Sequence, residues 1–305
     1  MPSFKSHLYA FILKRTRKKA FASPEGLHAR LAKTRKTENH RPPTHVRQLL
    51  RITERRTGGH VVYEAMPKGD ASRRVLYLHG GAYCFEMTPF HWQLIAEMAE
   101  RLAAHITVPI YPLAPEHDFH AIYGMTSAVY RDVLEAADNV TIMGDSAGGN
   151  MALVLTMMAA ENGWPIASRL VLMSPGVDMT LTNPATREVA RRDPWLDIPG
   201  GIEAVRIYAG NLDFGDWRIS PTYGRLSVLP PTLLFSGTRD LLHPDTEIFA
   251  EKARAAGADV ELVTGERMIH VWPLLSMPEA RAARDRMVEF VKAHERRPPK
   301  QAASE

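Results

Sequence analysis

Cysteine is nearly absent from this chain: Cys84 stands alone among 305 residues. No intramolecular disulfide can form. No CxxC pattern or histidine at ligand spacing accompanies Cys84, so it reads as a small buried side chain rather than a reactive thiol. Long hydrophobic runs are missing too. No stretch of 18 or more apolar residues occurs, which argues against a membrane-spanning helix. Leu8 to Leu13 is too short for the core of a secretory signal. Lys14, Arg15, Arg17, Lys18 and Lys19 then occupy the place of a small-residue cleavage site. A cytoplasmic, reducing location is the expectation. Neither GxGxxG nor GxxxxGK[ST] is present, which argues against a nucleotide-phosphate loop. No internal repeat and no aromatic-interleaved basic motif is found, so nucleic acid is not an expected partner.

What is present fits a soluble globular protein. Hydrophobic residues make up 45% of the chain, and a chain of this size buries a large core without help from a metal or disulfide. The net charge of +4 is unevenly spread: residues 1–47 hold twelve Lys/Arg and two Glu, which leaves the remainder near −6. A solvated, partly helical arm is the plain explanation. Weak contact with a membrane surface is the sharper one.

Periodicity organises the rest. Phe4, Leu8, Phe11 and Ile12 recur at helical spacing in an arm expected to be mobile. Ser23 and Pro24 read as N-cap and first residue of a helix running to about Lys36. Arg41-Pro42-Pro43 breaks the pattern, so residues 1–47 are assigned to a basic helical arm or cap. Leu50 to Glu54 and Val61 to Ala65 read as two strands turning at Gly58-Gly59. Continuous apolar runs follow at Val75–Leu78, Ile106–Pro109, Val140–Met143, Leu170–Met173, Thr232–Phe235 and Val260–Val263. Helical stretches are expected at about 90–103, 121–137, 147–161, 244–256 and 278–294. This alternation predicts an α/β fold, a mostly parallel twisted sheet with helices on both faces. The long connection from Met173 to Thr232 predicts a cap insertion at about 179–218, carrying Trp195, Tyr208 and Trp217, within a domain spanning 48–297. Residues 298–305 are expected to be a disordered tail.

Chemistry enters with Gly144-Asp145-Ser146-Ala147-Gly148-Gly149, placed between a strand and a helix. A serine on such a sharp turn projects its hydroxyl above the sheet, and glycines keep Cβ atoms out of the crowded approach. Upstream, His79-Gly80-Gly81-Ala82-Tyr83 directly follows a strand. Attack on an ester creates a tetrahedral oxyanion, and backbone N–H groups must already point at it. The N–H groups of Gly81 and Ala82, joined by that of Ala147, are the candidate donors. Loss of one donor typically raises such a barrier by about 2.7–4 kcal/mol. The serine needs a base, and the base needs an orienting acid. Asp240 ends a strand 94 residues after Ser146, and His270 lies 30 residues beyond Asp240, in the required order. Asp245 falls at a helix start and suits a helix-terminus role. His243 and His294 stand in the wrong places for the base.

At this point the chain resembles the hormone-sensitive-lipase-like esterases, also called bacterial family IV, of the α/β-hydrolase fold. The matching pieces are His79–Tyr83, Tyr111–His117, Gly144–Asn150, Ser174-Pro175, Asp178, Ser220-Pro221, Gly237–Leu241 and His270, across about residues 50–295. Within it, His270-Val271-Trp272 and Asp193-Pro194 are similar to a branch of monoterpene ε-lactone hydrolases and acetyl-ester hydrolases. The resemblance implies Ser146 as nucleophile, Asp240 as acid, His270 as base, an oxyanion hole at Gly80–Ala82 plus Ala147, a helical cap and no cofactor. It implies a small-molecule ester or lactone as substrate; a homodimer is a further expectation. Ala82 stands in place of the usual third glycine, Pro112 in place of an arginine, and Asp118 and His120 in place of prolines. His117, Asp118 and His120 read as loop substitutions, and no metal site is expected. A non-catalytic receptor on this fold is the competing class. Plant hormone receptors that resemble these esterases have lost the catalytic histidine, whereas His270 is present here.

Overall fold

The apolar runs form eight strands of one sheet: β1 (Arg51–Thr57), β2 (His60–Met66), β3 (Arg73–Leu78), β4 (Ala104–Pro109), β5 (Val140–Asp145), β6 (Arg169–Met173), β7 (Thr232–Gly237) and β8 (Val260–Gly265). A computed structural model describes residues 2–294; the tail expected at 298–305 lies outside the described residues. Eleven α-helices accompany the strands among those residues. Four precede the sheet: α1 (Phe4–Thr16), α2 (Lys18–Phe21), α3 (Pro24–Thr34) and α4 (Thr44–Leu49). Then come α5 (Pro89–Leu102), α6 (Phe119–Glu135), α7 (Ala147–Asn162), α8 (Pro184–Ala190), α9 (Ile198–Ala209), α10 (His243–Ala255) and α11 (Pro278–Ala293). None is long and apolar enough to cross a membrane.

The strand order is β1-β2-β4-β3-β5-β6-β7-β8. The β1–β2 and β2–β4 pairs are antiparallel and all others are parallel. Strands β5, β6 and β7 are buried at every position, whereas edge strand β1 is mostly exposed. That difference explains the continuous apolar runs in the centre: helices cover both faces there. The chain places β4 on one side of β3 and β5 on the other. The reversal opens a crevice at the carboxyl ends of β3 and β5, where α/β sheets hold their ligands.

The N-terminal arm is docked rather than mobile, a correction with a clear cause. Leu27 and Leu31 of α3 are buried in the same apolar cluster as Tyr83 and Tyr208. Ser23 caps α3 by accepting from the N–H of Gly26. Phe21 packs so tightly on α9 that a Cβ on Gly200 would lie 2.5 Å from its Cα. At the other end, Ser3 caps α1 and donates its hydroxyl to Glu279 at the start of α11, at 2.9 Å. Helix α4 has no counterpart in the sequence reading. It is six residues long and Val46 alone is buried, too short a pattern for a 3.6-residue period to show.

Candidate active site

Helix α7 starts directly from β5, and the turn between them carries Ser146. A Cβ on Gly148 would lie 2.0 Å from the carbonyl oxygen of Leu78, and one on Gly144 would lie 2.5 Å from that of Gly148. Both positions therefore demand glycine. Ser146 itself adopts φ 50° and ψ −117°, a costly conformation for a residue with a side chain. Its N–H donates to Met173 at 2.8 Å, which helps to hold that geometry. Its hydroxyl does not cap α7; it faces His270 Nε2 at 2.9 Å.

His270 Nδ1 lies 3.0 Å from each carboxylate oxygen of Asp240. Nδ1–H donating to Asp240 leaves Nε2 free to accept the Ser146 proton. Burial works against the imidazolium, yet the adjacent Asp240 carboxylate outweighs it and raises His270 above its ordinary value. Burial likewise opposes ionisation of Asp240, but the His270 charge and hydrogen bonds, including that from the Leu242 N–H, bring it below the usual range. The His270 loop is pinned by the N–H of Val271, which donates to Ser174 Oγ at 3.0 Å.

The oxyanion candidates divide. The N–H of Gly80 donates to Asp145 Oδ1 at 3.0 Å, so Gly80 is not a free donor, and this corrects its place among the four. The N–H groups of Gly81, Ala82 and Ala147 meet no acceptor among the described residues. Gly81 has φ 131° and Ala82 φ 53°, a tight turn directly after β3, and both residues line one cavity with Ser146.

Two buried carboxylates, present in the matching motifs but given no role by the sequence, support this arrangement. Asp145 accepts from Tyr77 OH at 2.7 Å and from Gly80, and lies 3.2 Å from His91 Nε2. Its position inside Gly-Asp-Ser-Ala-Gly was the available signal. Asp193, in the cap segment, accepts from the N–H groups of Trp195 at 2.6 Å, Leu196 at 2.9 Å and Leu241 at 2.7 Å. Leu241 follows Asp240, so Asp193 ties the cap to the loop of the acid. Burial and then the charge of Asp240 push Asp193 up to about 6. The Trp195 ring, placed by this turn, stands edge-on to His270 with centroids 5.5 Å apart.

The rival groups have other partners. His79 stacks on Tyr111 at 4.3 Å, and burial followed by the neighbouring His91 lowers it to about 4. His243 pairs with Ser236 Oγ and His294 with the carbonyl of Phe290. Asp245 lies in the first turn of α10 and also accepts from Asn183 and Thr186, which joins α8 to α10. Asp118 caps α6, and His120 meets Asn211. Cys84 is fully buried, and burial pushes its thiol up.

Ser146 borders two cavities. One, of about 440 Å³, runs past His270, Trp195, Leu274 and Phe90 to α1. The other, of about 50 Å³, is lined by Ala147, Met179, Leu181, Val205 and Tyr208 and excludes His270. Of the three cap aromatics, Trp195 faces the large cavity. Tyr208 is stacked on Tyr83 at 3.7 Å, and Trp217 packs against the core.

A family model described as the alpha/beta hydrolase fold matches residues 75–274. A triacylglycerol lipase of Mycobacterium tuberculosis is 32% identical over 240 residues, covering 77% of this chain and 50% of the lipase. The chain thus spans half the length of that relative. An esterase of Acinetobacter venetianus is 32% identical over 238 residues, 74% of this chain and 77% of the esterase. The crystal structure of EstE7, a hormone-sensitive-lipase homologue from a metagenome library, superimposes with a TM-score of 0.81 at 28% identity, covering 96% of this chain and 99% of that one.

Truncating Asp193 tests its role. Asp193→Ala leaves the buried N–H of Leu241 and the part-buried N–H groups of Trp195 and Leu196 without an acceptor, and the expected loss of stability is about 3 kcal/mol, read as a lower midpoint in urea unfolding. An unchanged midpoint would show that the cap turn holds without the carboxylate.

Proposed function

The chain belongs to the alpha/beta hydrolase fold family, within which it is similar to the hormone-sensitive-lipase-like esterases, and from that premise we propose that it is a serine carboxylic-ester hydrolase. The observation that carries this reading is the continuous chain from Ser146 Oγ through His270 to Asp240, with links of 2.9 Å and 3.0 Å. His270 Nε2 takes the hydroxyl proton as Ser146 Oγ attacks the ester carbonyl. The oxyanion is received by the N–H groups of Gly81, Ala82 and Ala147. As the intermediate collapses, His270 returns the proton to the departing alkoxide, which leaves as the alcohol. Water attacks the acyl-serine in turn as His270 accepts its proton; the second intermediate collapses, His270 returns that proton to Ser146 Oγ, and the acid is released. The intact His270 argues against a purely ligand-binding protein.

Proton return fixes the substrate's direction. The leaving oxygen must lie beside His270 Nε2, hence on the side of the 440 Å³ cavity. The acyl group then points into the 50 Å³ pocket against Ala147 and Tyr208. A short acyl group on a larger, mostly apolar alcohol suits this asymmetry. A lactone keeps both parts in one ring and makes no use of two separate cavities, so the open ester is the better fit. The lone, buried Cys84 supports a reducing, cytoplasmic setting.

Ser146→Ala is expected to abolish turnover of p-nitrophenyl acetate, and retained turnover would sink the assignment. In the wild type, kcat/KM should fall steeply from acetyl to octanoyl esters of one alcohol. A flat series would remove the small pocket from the acyl side. The base works as neutral imidazole and its value is raised, so activity is lost as pH falls through a point above the ordinary 6.5. A pH profile of kcat/KM whose acid limb lies below that value contradicts the Asp240 effect.

A further inference from the structure

The large cavity is apolar beside Ser146 but carries two guanidiniums in its wall, Arg17 between α1 and α2 and Arg30 in α3. Neither side chain forms a hydrogen bond or ion pair among the described residues, and Arg30 Nε is buried without an acceptor. Basic neighbours on the same elements behave differently. Lys18 pairs with Asp197 at 2.9 Å, and Arg35 with Glu38 and Glu116. Arg17 and Arg30 also feel one another: burial, then the charge of Arg30, lowers Arg17, with Glu38 acting in the opposite sense. Glu86 lines the same cavity but is not their counter-ion. Its Oε2 is buried without a donor, and burial followed by Glu38 pushes it up to about 7. Two like charges, partly desolvated and facing a cavity, are unfavourable until an anion joins them.

We propose that Arg17 and Arg30 bind an anionic group, a carboxylate or a phosphate, on the alcohol portion of the ester substrate. This rests on the ester-hydrolase reading, since the side of His270 is what makes the large cavity the alcohol's. The guanidinium fork matches two oxygens of either anion.

The test compares ω-acetoxyalkanoates of increasing chain length with the corresponding neutral ω-acetoxyalkanamides, and includes ω-acetoxyalkyl phosphates. At the best-fitting length, kcat/KM for an anionic ester should exceed that for its neutral partner by about tenfold, the weight of one charge-assisted contact. A carboxylate preference and a phosphate preference identify which anion the pair takes. Arg30→Gln and Arg17→Gln should each collapse the anionic-to-neutral ratio, mainly through KM, with Arg30→Lys retaining part of it. A ratio near one at every length in the wild-type protein overturns the proposal without any variant. So does a ratio that survives both glutamine substitutions. No turnover of the neutral esters at all is a different result, because it removes the hydrolase reading itself.

A second, independent observation concerns the outer face of α1. Phe4 is 81% exposed, Leu8 45%, Phe11 54% and Ile12 45%, and they form one stripe, while Ser6 and Ala10 are buried on the opposite side. Exposed Lys5, Lys14, Arg15 and Lys19 accompany the stripe, and no acidic residue precedes Glu25. Arg15 lies over the Phe11 ring at 3.5 Å. Ile12 is both exposed and part of the cavity wall, as is Phe90, so the stripe reaches the rim of the cavity. Apolar side chains ringed by unopposed cations match an anionic lipid surface. We infer that α1 docks on anionic membranes with the cavity rim at the lipid boundary.

Flotation with phosphatidylcholine vesicles, with and without phosphatidylglycerol, tests this directly. The full chain should partition to the anionic vesicles about tenfold more than to the neutral ones. Phe4→Ser/Leu8→Ser/Phe11→Ser and, separately, Lys5→Gln/Lys14→Gln should each reduce that partitioning, with acetate-ester turnover in solution reporting that each variant is folded. Absence of binding by the wild type overturns the inference, and so does binding unaffected by either variant. A dimer in solution that the serine variant dissociates would assign the stripe to a second copy of the chain instead.

Discussion

Everything at the centre of this molecule depends on how closely the first turn of α7 approaches the end of β3. There is no room for a methyl group at Gly148, whose Cβ would overlap the Leu78 carbonyl. That approach forces Ser146 into its left-handed conformation, because the chain must reverse between a buried strand and a helix in one residue. It also sets the oxyanion loop, which leaves β3 directly after Leu78, beside the start of α7. Nucleophile and oxyanion donors are thus neighbours by packing, not by any bond between them. The strain at Ser146 is sustained by buried strands on both sides, including its N–H bond to Met173 at the end of β6.

Burial of this kind imposes an electrostatic condition. The buried carboxylates around this centre lie in a medium that disfavours charge, and each is stabilised by a histidine or by a set of backbone donors. Asp240 has His270, Asp145 has His91 with Tyr77 and Gly80, and Asp193 has three peptide N–H groups. The three do different work. Asp240 orients a base whose other nitrogen must stay free. Asp145 fixes the loop that presents the oxyanion donors by occupying the Gly80 amide. Asp193 couples the cap turn to Leu241 and so places Trp195 against His270.

The contrast between what was readable and what was not follows the range of the interactions. Central strands and their helices show in the sequence because burial on both faces writes a continuous apolar run, and Ser146, Asp240 and His270 show because each follows such a run in the required order. Gly80 was grouped with the oxyanion donors because a motif cannot tell which amide is already spent; that depends on a carboxylate 65 residues away. Asp193 is visible in the Asp193-Pro194 pair but its role is not, because its partners are peptide groups, which leave no trace in side-chain patterns. The arm was expected to move because its charge is conspicuous, whereas its anchors are a few apolar residues, Phe21, Leu27 and Leu31, that meet the cap only in three dimensions.

The arm then explains the unequal cavities. Phe21 of α2 lies against Gly200 of α9 with backbone-to-backbone closeness, which presses the cap helix toward the oxyanion loop. Tyr208, on the same helix, is held flat on Tyr83, whose hydroxyl is fixed by Asn150 of α7 at 2.6 Å. Asn150 in turn donates to the carbonyls of Gly176 and Ile219, which bracket the cap insertion. This interlocked stack leaves only a small space on the side of Ala147. On the side of His270 the ring contacts among the described residues, Tyr9 with Phe90 and Trp195 with His270, are edge-on rather than stacked. There α1 forms the outer part of the wall; it meets the body through small residues such as Ser6 and Ala10 and leaves its larger side chains to solvent or to the cavity rim. The closed side is thus built on stacked aromatic rings, and the open side in part on a helix held through small residues. Room for variation in the bound molecule therefore lies with the alcohol, where the basic arm supplies the wall.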